Sequence, residues 1–287
     1  MKKSKVSDII LAGPTILFLL VFFILPSCIL LVYSFWTVRS FQLIPGFSWV
    51  NYSRSLSATG FYYSAWMGIR NGLWTALISV LVSFPVAYYI VFKTRSNLVL
   101  YLALLSWFSS YLVRVYAWRT ILGSNGLINS TLINLGIIDK PLEILLFSPF
   151  AVVLTLVHIM LPFSLLLLVS SLRDVKQDYI DAARDLGASW RHVLWKVILP
   201  MAHKGLLGSF MFTFVLAAGD YVTPQLLGGT EGTTTGLLIA NQFRMVGNWP
   251  LGAAMAFILL AVFLVIYLIV LRLMYFVDLA PGKRYSR

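Results

Sequence analysis

The sequence carries a charged stretch, Asp181-Ala182-Ala183-Arg184-Asp185-Leu186-Gly187, and Pro200 follows thirteen residues later. The stretch lies in a chain that is otherwise mostly apolar. Three charges within seven residues are too costly for a hydrocarbon environment. The apolar residues nevertheless recur near helical spacing, which is not typical of a simple linker. We therefore predict a short helical device that lies against the membrane surface and contacts another protein.

The composition places most of the remaining chain in lipid. Sixty per cent of the 287 residues are hydrophobic, 11% are charged, and the mean hydropathy is +0.87. A soluble domain could not bury that much apolar surface, so we predict an integral membrane protein. The net charge of +12 forms no basic stripe, which argues against nucleic-acid binding. The single cysteine, Cys28, leaves no intramolecular disulfide and no thiol metal site.

Six segments are long and apolar enough to predict membrane-spanning helices, each of which needs about 20 residues. Their approximate bounds are 9–35, 68–92, 98–120, 149–171, 203–226 and 252–276. The first segment exceeds the apolar core of a signal peptide, about 7–15 residues, so we predict an uncleaved span. The predicted fold class is all-α integral membrane with six transmembrane helices.

Lysine and arginine predict the orientation of these spans. With both termini in the cytoplasm, 15 of the 22 basic residues lie on the cytoplasmic side, in agreement with the positive-inside rule. This orientation places Lys93, Lys196 and the segment 181–200 inside. It places Lys140 and Glu231 outside.

The chain divides into three predicted parts. They are an N-terminal span with an external aromatic segment (1–66), a core of five spans (67–276) and a cytoplasmic tail (277–287). We expect residues 37–67 to lie on the outer membrane surface and residues 121–148 to form short interfacial helices.

The sequence contains no nucleophile motif and no metal-ligand spacing. We therefore predict no catalytic residue, no metal site and no cofactor bound by this chain. Gly228–Gly232 lacks the Gly-Lys-Ser/Thr ending of a phosphate loop. His158 lies in the fourth predicted span, where an ionisable group is a functional candidate. The alternative is a neutral histidine that hydrogen-bonds a neighbouring helix.

The segment 174–200 predicts two short helices joined by a sharp turn, which we call the elbow. Gly187 stands where a helix end favours a left-handed residue, Ser189 can cap the second helix, and Pro200 stops it. The apolar side of the first helix is predicted to contain Val175, Tyr179, Ala182, Ala183 and Leu186. That of the second contains Trp190, Val193, Leu194 and Val197. An amphipathic connector resting on lipid would show the same periodicity, so the pattern leaves that alternative open.

The spacing of Asp181-Ala182-Ala183, Gly187, Val197 and Leu199-Pro200 resembles the EAA signature of permease subunits in bacterial ABC importers. Two positions depart from that signature, since Asp181 replaces the usual Glu and Val197 the usual Ile. In that family the segment is the coupling helix, which docks in a groove of the ATPase subunit. The resemblance implies that Asp181, Ala182, Ala183, Gly187, Leu199 and Pro200 couple this chain to such a subunit.

The resemblance extends over roughly residues 68–275 and favours the spermidine/putrescine branch. The stretches that resemble this branch are 114–118, 121–123, 126–129, 219–224, 227–229 and 248–252. The resemblance implies a type I importer of polyamines in the bacterial inner membrane. Its expected partners are a second, homologous but non-identical permease, a periplasmic solute-binding protein and two cytoplasmic ATPase subunits that hold ATP and Mg.

Two alternatives stay open at this point. An opine, an amino-acid derivative or another small solute is the alternative cargo within the same importer class. An ion-coupled secondary transporter is the alternative from a different class. Such carriers usually place several ionisable groups in mid-membrane and contain internal repeats, whereas these spans are nearly free of charge and show no evident repeat.

Asp220 is a carboxylate within the fifth predicted span, about 22 Å along a helix that starts near Gly205. Facing lipid there would cost several kcal/mol, so we expect it to face protein or a water-filled path. Gly219 and Pro224 loosen the helix and can free backbone carbonyls beside it. We predict that Asp220, Tyr221 and Gln225 line the path of a cationic solute. The alternative is a structural ion pair of Asp220 with Arg114, Arg119 or Arg244.

Overall fold

Helices make up most of the chain in the computed structural model, which describes residues 5–40, 42–94, 96–277 and 279. In chain order they are α1 (Lys5–Leu19), α2 (Leu25–Ser34), α3 (Val50–Ser57), α4 (Thr59–Phe92), α5 (Leu98–Trp107), α6 (Tyr111–Leu122), α7 (Leu127–Asn134), α8 (Pro149–Arg173), α9 (Gln177–Asp185), α10 (Trp190–Val193), α11 (Leu199–Met201), α12 (His203–Gly219), α13 (Val222–Leu227), α14 (Thr235–Asn241) and α15 (Trp249–Phe276). The basic residues Lys2, Lys3 and Arg95, and nearly all of the predicted tail, lie outside the described residues.

Among the described residues, four helical stretches are long and apolar enough to cross a membrane alone. They are Ala12–Ser34, Thr59–Phe92, Pro149–Arg173 and Trp249–Phe276, and they correspond to the first, second, fourth and sixth predicted spans. Two bent helix pairs raise the number to six if each pair is one span. The predicted helices of the region 121–148 are present as α7 and a single 3₁₀ turn at Glu143–Leu145.

The third predicted span is not one straight helix. α5 ends at Trp107, α6 begins at Tyr111, and the chain bends by 90° between them. The Ser106 hydroxyl donates to the carbonyl of Ala103 at 2.6 Å, and the Ser109 hydroxyl donates to that of Ser106 at 2.8 Å. These serine side chains compete with the backbone for hydrogen bonds in the last turn, which favours a break without glycine or proline.

The fifth predicted span is also interrupted, so the continuous helix expected over 203–226 is wrong. α12 ends at Gly219, Asp220 is extended, and α13 starts at Val222. Pro224 favours the break, because it has no N–H to donate to the carbonyl of Asp220. In α13 the proline lies in the first turn, where no intrahelical donor is needed.

The sequence predicts that the second elbow helix stops at Pro200, but in the structure the helix continues past this residue. Helical turns continue to Met201, and the break comes at Ala202 with a bend of 69°. The Pro200 ring crowds the carbonyl four residues earlier and cannot donate to it. The chain accommodates this with a wider π-helical turn over Leu194–Ile198. A π-helical turn over Leu20–Ile24 precedes Pro26 in the same way.

The described chain forms two compact units. The first takes its residues from 1–62 and 238–260, and the second from 63–237 and 261–287. The first contains a two-stranded antiparallel hairpin, β1 (Thr37–Arg39) and β2 (Gln42–Ile44), which the all-α prediction did not include. The division into parts at 66 and 276 stays a prediction.

Two apolar clusters among the described residues of the second unit lie at different levels of α8. One joins α8 to α4 and to the elbow, through buried residues that include Ile90, Leu168, Leu172, Ile180, Val193 and Ile198. The other joins α8 to α6 and α13, through Val115, Leu122, Val152, Leu156 and Leu227. The first cluster fixes the elbow to the end of the spanning helices.

Candidate coupling elbow and solute path

The turn of the elbow has the backbone geometry predicted for Gly187. Its φ is +82°, in the left-handed region. The N–H of Gly187 donates to the carbonyl of Arg184 at 2.8 Å, and that of Ala188 donates to the carbonyl of Ala183 at 3.0 Å. This pair of bonds is a Schellman motif, which ends α9 and needs a residue that tolerates positive φ.

The second elbow helix starts as predicted. The Ser189 hydroxyl accepts a hydrogen bond from the N–H of His192 at 3.4 Å and so caps α10. The indole of Trp190 packs edge-on against the ring of Tyr88 on α4, with ring centroids 5.6 Å apart. The turn is therefore held at both helix ends and against a spanning helix.

Only part of the predicted apolar side of α9 is buried. Ile180, which the sequence prediction left out, is 3% exposed and anchors α9 to the core. Tyr179 and Leu186 are 53% and 90% exposed, and with Ala182 they follow the i, i+3, i+7 spacing of one helix stripe. α9 therefore attaches by one side and presents a second, apolar stripe outward. The signal for Ile180 was available, since it is the one large aliphatic residue within α9.

The remaining predicted coupling residues lie on both sides of the turn. Asp181 is exposed, and its Oδ1 accepts from the side-chain amide of Gln177 at 2.8 Å. Leu199 and Pro200 are half-buried, beside the fully buried Ile198. A cleft of about 570 Å³ opens between the two helices at the turn. Its lining includes Ala183, Leu186, Gly187, Ser189 and Val197.

Asp220 lies at the break between α12 and α13, where both of its carboxylate oxygens are engaged. Oδ2 accepts from the N–H of Thr223 at 2.9 Å, and Oδ1 accepts from the hydroxyl of Tyr111 at 2.7 Å. The hydroxyls of Tyr111 and Thr223 are also 2.7 Å apart. Because Tyr111 has one proton and gives it to Asp220, it accepts from Thr223. This chain of bonds ties α6 to the start of α13.

Two expectations about Asp220 are corrected by these contacts. Among the described residues, its partners are Tyr111 and Thr223 and not an arginine. Its own carbonyl is not open, because the hydroxyl of Thr234 donates to it at 3.3 Å. A Cβ added at Gly236 would overlap the neighbouring carbonyl of Gly219. Tyr221 is half-buried and Gln225 is exposed at the same break.

His158 bonds a neighbouring helix, as the structural alternative predicted. Its Nδ1 accepts from the indole N–H of Trp118 on α6 at 3.0 Å, which requires Nδ1 to be unprotonated. Arg114, which lies on α6 like Trp118, is only 7% exposed. Its Nε and Nη1 atoms are buried and lack a hydrogen-bond partner among the described residues. No sequence motif had pointed to the isolation of this guanidinium group.

Comparison with known families identifies the class of protein. Residues 71–280 match the family of binding-protein-dependent transport system inner membrane components. This range includes the elbow, the break at Asp220 and five of the six predicted spans. The chain belongs to this family. It is a transport component that crosses the inner membrane several times.

The individual relatives agree with this assignment. The chain is 31% identical over 240 residues to the spermidine/putrescine transport system permease protein PotB of Salmonella typhimurium, which covers 82% of this chain and 83% of the relative. PotB of Haemophilus influenzae is 29% identical over 256 residues, with 86% and 88% covered.

A solved structure has the same fold. It is the bacterial alginate ABC transporter in complex with an alginate pentasaccharide-bound periplasmic protein. One of its chains superposes with a TM-score of 0.68 at 15% identity, covering 98% of this chain and 100% of that chain. The all-α fold of type I importer permeases is thereby established, and this chain also contains the β1–β2 hairpin.

Proposed function

We propose that this chain is one permease of an ATP-driven importer of polyamines such as spermidine or putrescine. The observation that carries the proposal is the 31% identity to a spermidine/putrescine permease over 82% of the chain. In the proposed assembly, a second homologous permease, two ATPase subunits that hold ATP and Mg, and a periplasmic solute-binding protein complete the importer. Both termini of this chain lie in the cytoplasm.

The elbow is the proposed contact with an ATPase subunit. The exposed stripe of Tyr179, Ala182 and Leu186 offers apolar surface that a groove on a partner can cover, and buried Ile180 and Ile198 join the elbow to the spanning helices. Because the turn at Gly187 is fixed by hydrogen bonds, a movement of α9 is transmitted to α10 and the spanning helices instead of being lost in a flexible turn. The chain itself supplies no ATPase site in this proposal, and hydrolysis belongs to the partners.

The break at Asp220 is the proposed solute path, together with Tyr221 and Gln225. A carboxylate has about four lone-pair sites, of which the hydrogen bonds from Tyr111 and Thr223 use two. The remaining sites can accept from an ammonium group of a passing polyamine.

Reconstitution of the complete complex in proteoliposomes tests this function. We expect uptake of labelled spermidine or putrescine that requires both ATP and the binding protein and that persists when ionophores collapse the ion gradients. Uptake that follows an ion gradient without ATP would contradict the importer class. Uptake of an opine or amino-acid derivative, with none of polyamine, would contradict the cargo alone.

A further inference from the structure

We propose that the first unit binds the phosphate group of an anionic phospholipid in a cleft between Arg39 and Arg54. The cleft belongs to an interfacial module, formed by β1, β2 and α3, that follows the first span. Its volume is about 360 Å³, within the range of about 300–1,000 Å³ typical of ligand sites. Ser48 and Asn248 add polar groups to its lining, and Val50 adds an apolar one.

The charges around the cleft favour an anion. No acidic residue occurs in the sequence between Asp8 and Asp139, so the module contains no carboxylate of its own. Among the described residues, neither Arg39 nor Arg54 has a side-chain partner. The planar guanidinium group binds phosphate through two parallel hydrogen bonds, and two arginines on one cleft can hold one phosphate from both sides.

The position of the module favours a lipid as the source of that phosphate. The side-chain amide of Asn51 donates to the carbonyls of Ser34 and Trp36, at 2.9 and 2.7 Å. The hydroxyls of Ser34 and Tyr52 are 2.7 Å apart. Ser34 is the last residue of the span Ala12–Ser34, so these bonds hold the cleft where that span leaves the hydrocarbon.

The surface beside the cleft suits acyl chains and headgroups better than a soluble partner. Phe47 is 75% exposed, Trp49 is 60% exposed, and Val50 is 51% exposed although it also lines the cleft. Phe35, Phe47 and Trp49 form one aromatic cluster. Aromatic side chains concentrate at the headgroup level of membranes, with arginine beside them for the phosphates. The apolar stretch of the preceding span, Ala12–Ser34, is itself unburied within the described chain.

Native mass spectrometry of the full-length chain in detergent tests the proposal. The protein is incubated with equal amounts of phosphatidylglycerol and phosphatidylcholine, and the retained lipids are counted. We expect wild type to retain phosphatidylglycerol preferentially. In the double variant Arg39→Gln/Arg54→Gln this preference should be roughly tenfold smaller, equivalent to about 1.4 kcal/mol of binding free energy. Arg244→Gln is the matched control, because Arg244 is an exposed arginine of the same unit outside the cleft.

Several outcomes would overturn the proposal. One is an equal preference for phosphatidylglycerol in wild type and the double variant, and another is an equal loss in Arg244→Gln. Displacement of the lipid by inorganic phosphate at equal concentration would assign the cleft to a soluble anion. Loss of uptake with unchanged lipid retention would assign the arginines to a protein partner. The single variants keep the test available if the double variant unfolds.

Discussion

Gly187 is the elbow residue whose backbone conformation is hardest for another residue to adopt. No heavy atom of the described residues, apart from its own neighbours, lies within 4 Å of a Cβ added there, so a side chain would meet backbone strain and not a clash. Placing a β-branched residue in the left-handed region costs about 1–2 kcal/mol. We expect Gly187→Val to reach normal membrane levels but to lose uptake and the substrate-stimulated part of ATP hydrolysis.

Gly187→Asn is the control for that variant, because asparagine adopts positive φ more readily than valine. It should retain most of the uptake. Transport by Gly187→Val at the wild-type rate would show that the turn does not couple this chain to an ATPase.

Asp220 has two separable roles, a cap for α13 and a charge beside the proposed solute path. Asp220→Asn keeps an oxygen that can accept from the N–H of Thr223 and an amide that can donate to the hydroxyl of Tyr111. Asp220→Ala removes both contacts. We expect both variants to lose most polyamine uptake, whereas only Asp220→Ala should lower the unfolding temperature of the complex and its assembly.

The measurements for Asp220 are uptake in proteoliposomes and thermal unfolding of the purified complex. Basal ATP hydrolysis should persist in Asp220→Asn. If Asp220→Asn transports normally while Asp220→Ala falls apart, the carboxylate is structural and the charge has no part in the path.

At the scale of single elements, the sequence predicted the ends of helices where the cause is local. Gly187 and Ser189 mark the elbow because their backbone and side-chain chemistry acts within four residues. At Asp220 the sequence predicted a helix loosened by Gly219 and Pro224, but it did not predict a complete break. Pro85 and Pro162 lie inside unbroken helices, so the presence of a proline does not by itself determine where a helix breaks. The break before Tyr111 has neither glycine nor proline and rests on serine hydrogen bonds that no periodicity predicts.

The candidate site itself depends on contacts that sequence patterns cannot supply. Tyr111 and Asp220 are 109 residues apart, and Trp118 and His158 are 40 apart. The types of residue suggested a polar path, but only the packing of α6 against α8 and α13 pairs them. The sequence pattern placed Tyr179, Ala182 and Leu186 on the apolar side of α9 and left out Ile180, although Ile180 is the residue of α9 that is buried.

α4 and α12 approach closely at Gly72, which makes their contact testable. A Cβ at this position would lie 2.6 Å from the Cβ of Ala218 and 3.0 Å from the carbonyl of Phe214. Small residues allow such approach between membrane helices. We expect Gly72→Ala to lower the thermal stability of the purified chain, since overpacking costs about 1–3 kcal/mol.

Gly208→Ala is a matched control inside α12, because no heavy atom of the described residues lies within 4 Å of its Cβ position. Both variants gain the same intrinsic helix propensity, so the difference between their unfolding temperatures isolates the helix contact. Equal unfolding temperatures would contradict the close packing of α4 and α12.

For the whole molecule, the two bent helix pairs decide how many times the chain crosses the membrane. If α5 with α6 and α7 forms one broken span, Lys93 and Lys140 lie on opposite sides. If the pair is a re-entrant loop, both lie on the same side. Both lysines are exposed, so a cysteine at either position can react. Cys28 is also exposed and must first be replaced by serine.

We expect an impermeant thiol reagent to label Lys140→Cys in spheroplasts and to label Lys93→Cys only after the membrane is opened. This result follows from the excess of basic residues on the side of Lys93, together with an odd number of crossings between the two positions. Labelling of both cysteines in intact spheroplasts would make α5–α7 re-entrant and reduce the number of spans. Labelling of Lys93→Cys alone would invert the orientation and place the elbow outside the cell, away from the cytoplasmic ATPase subunits. This result would overturn the coupling proposal together with the topology.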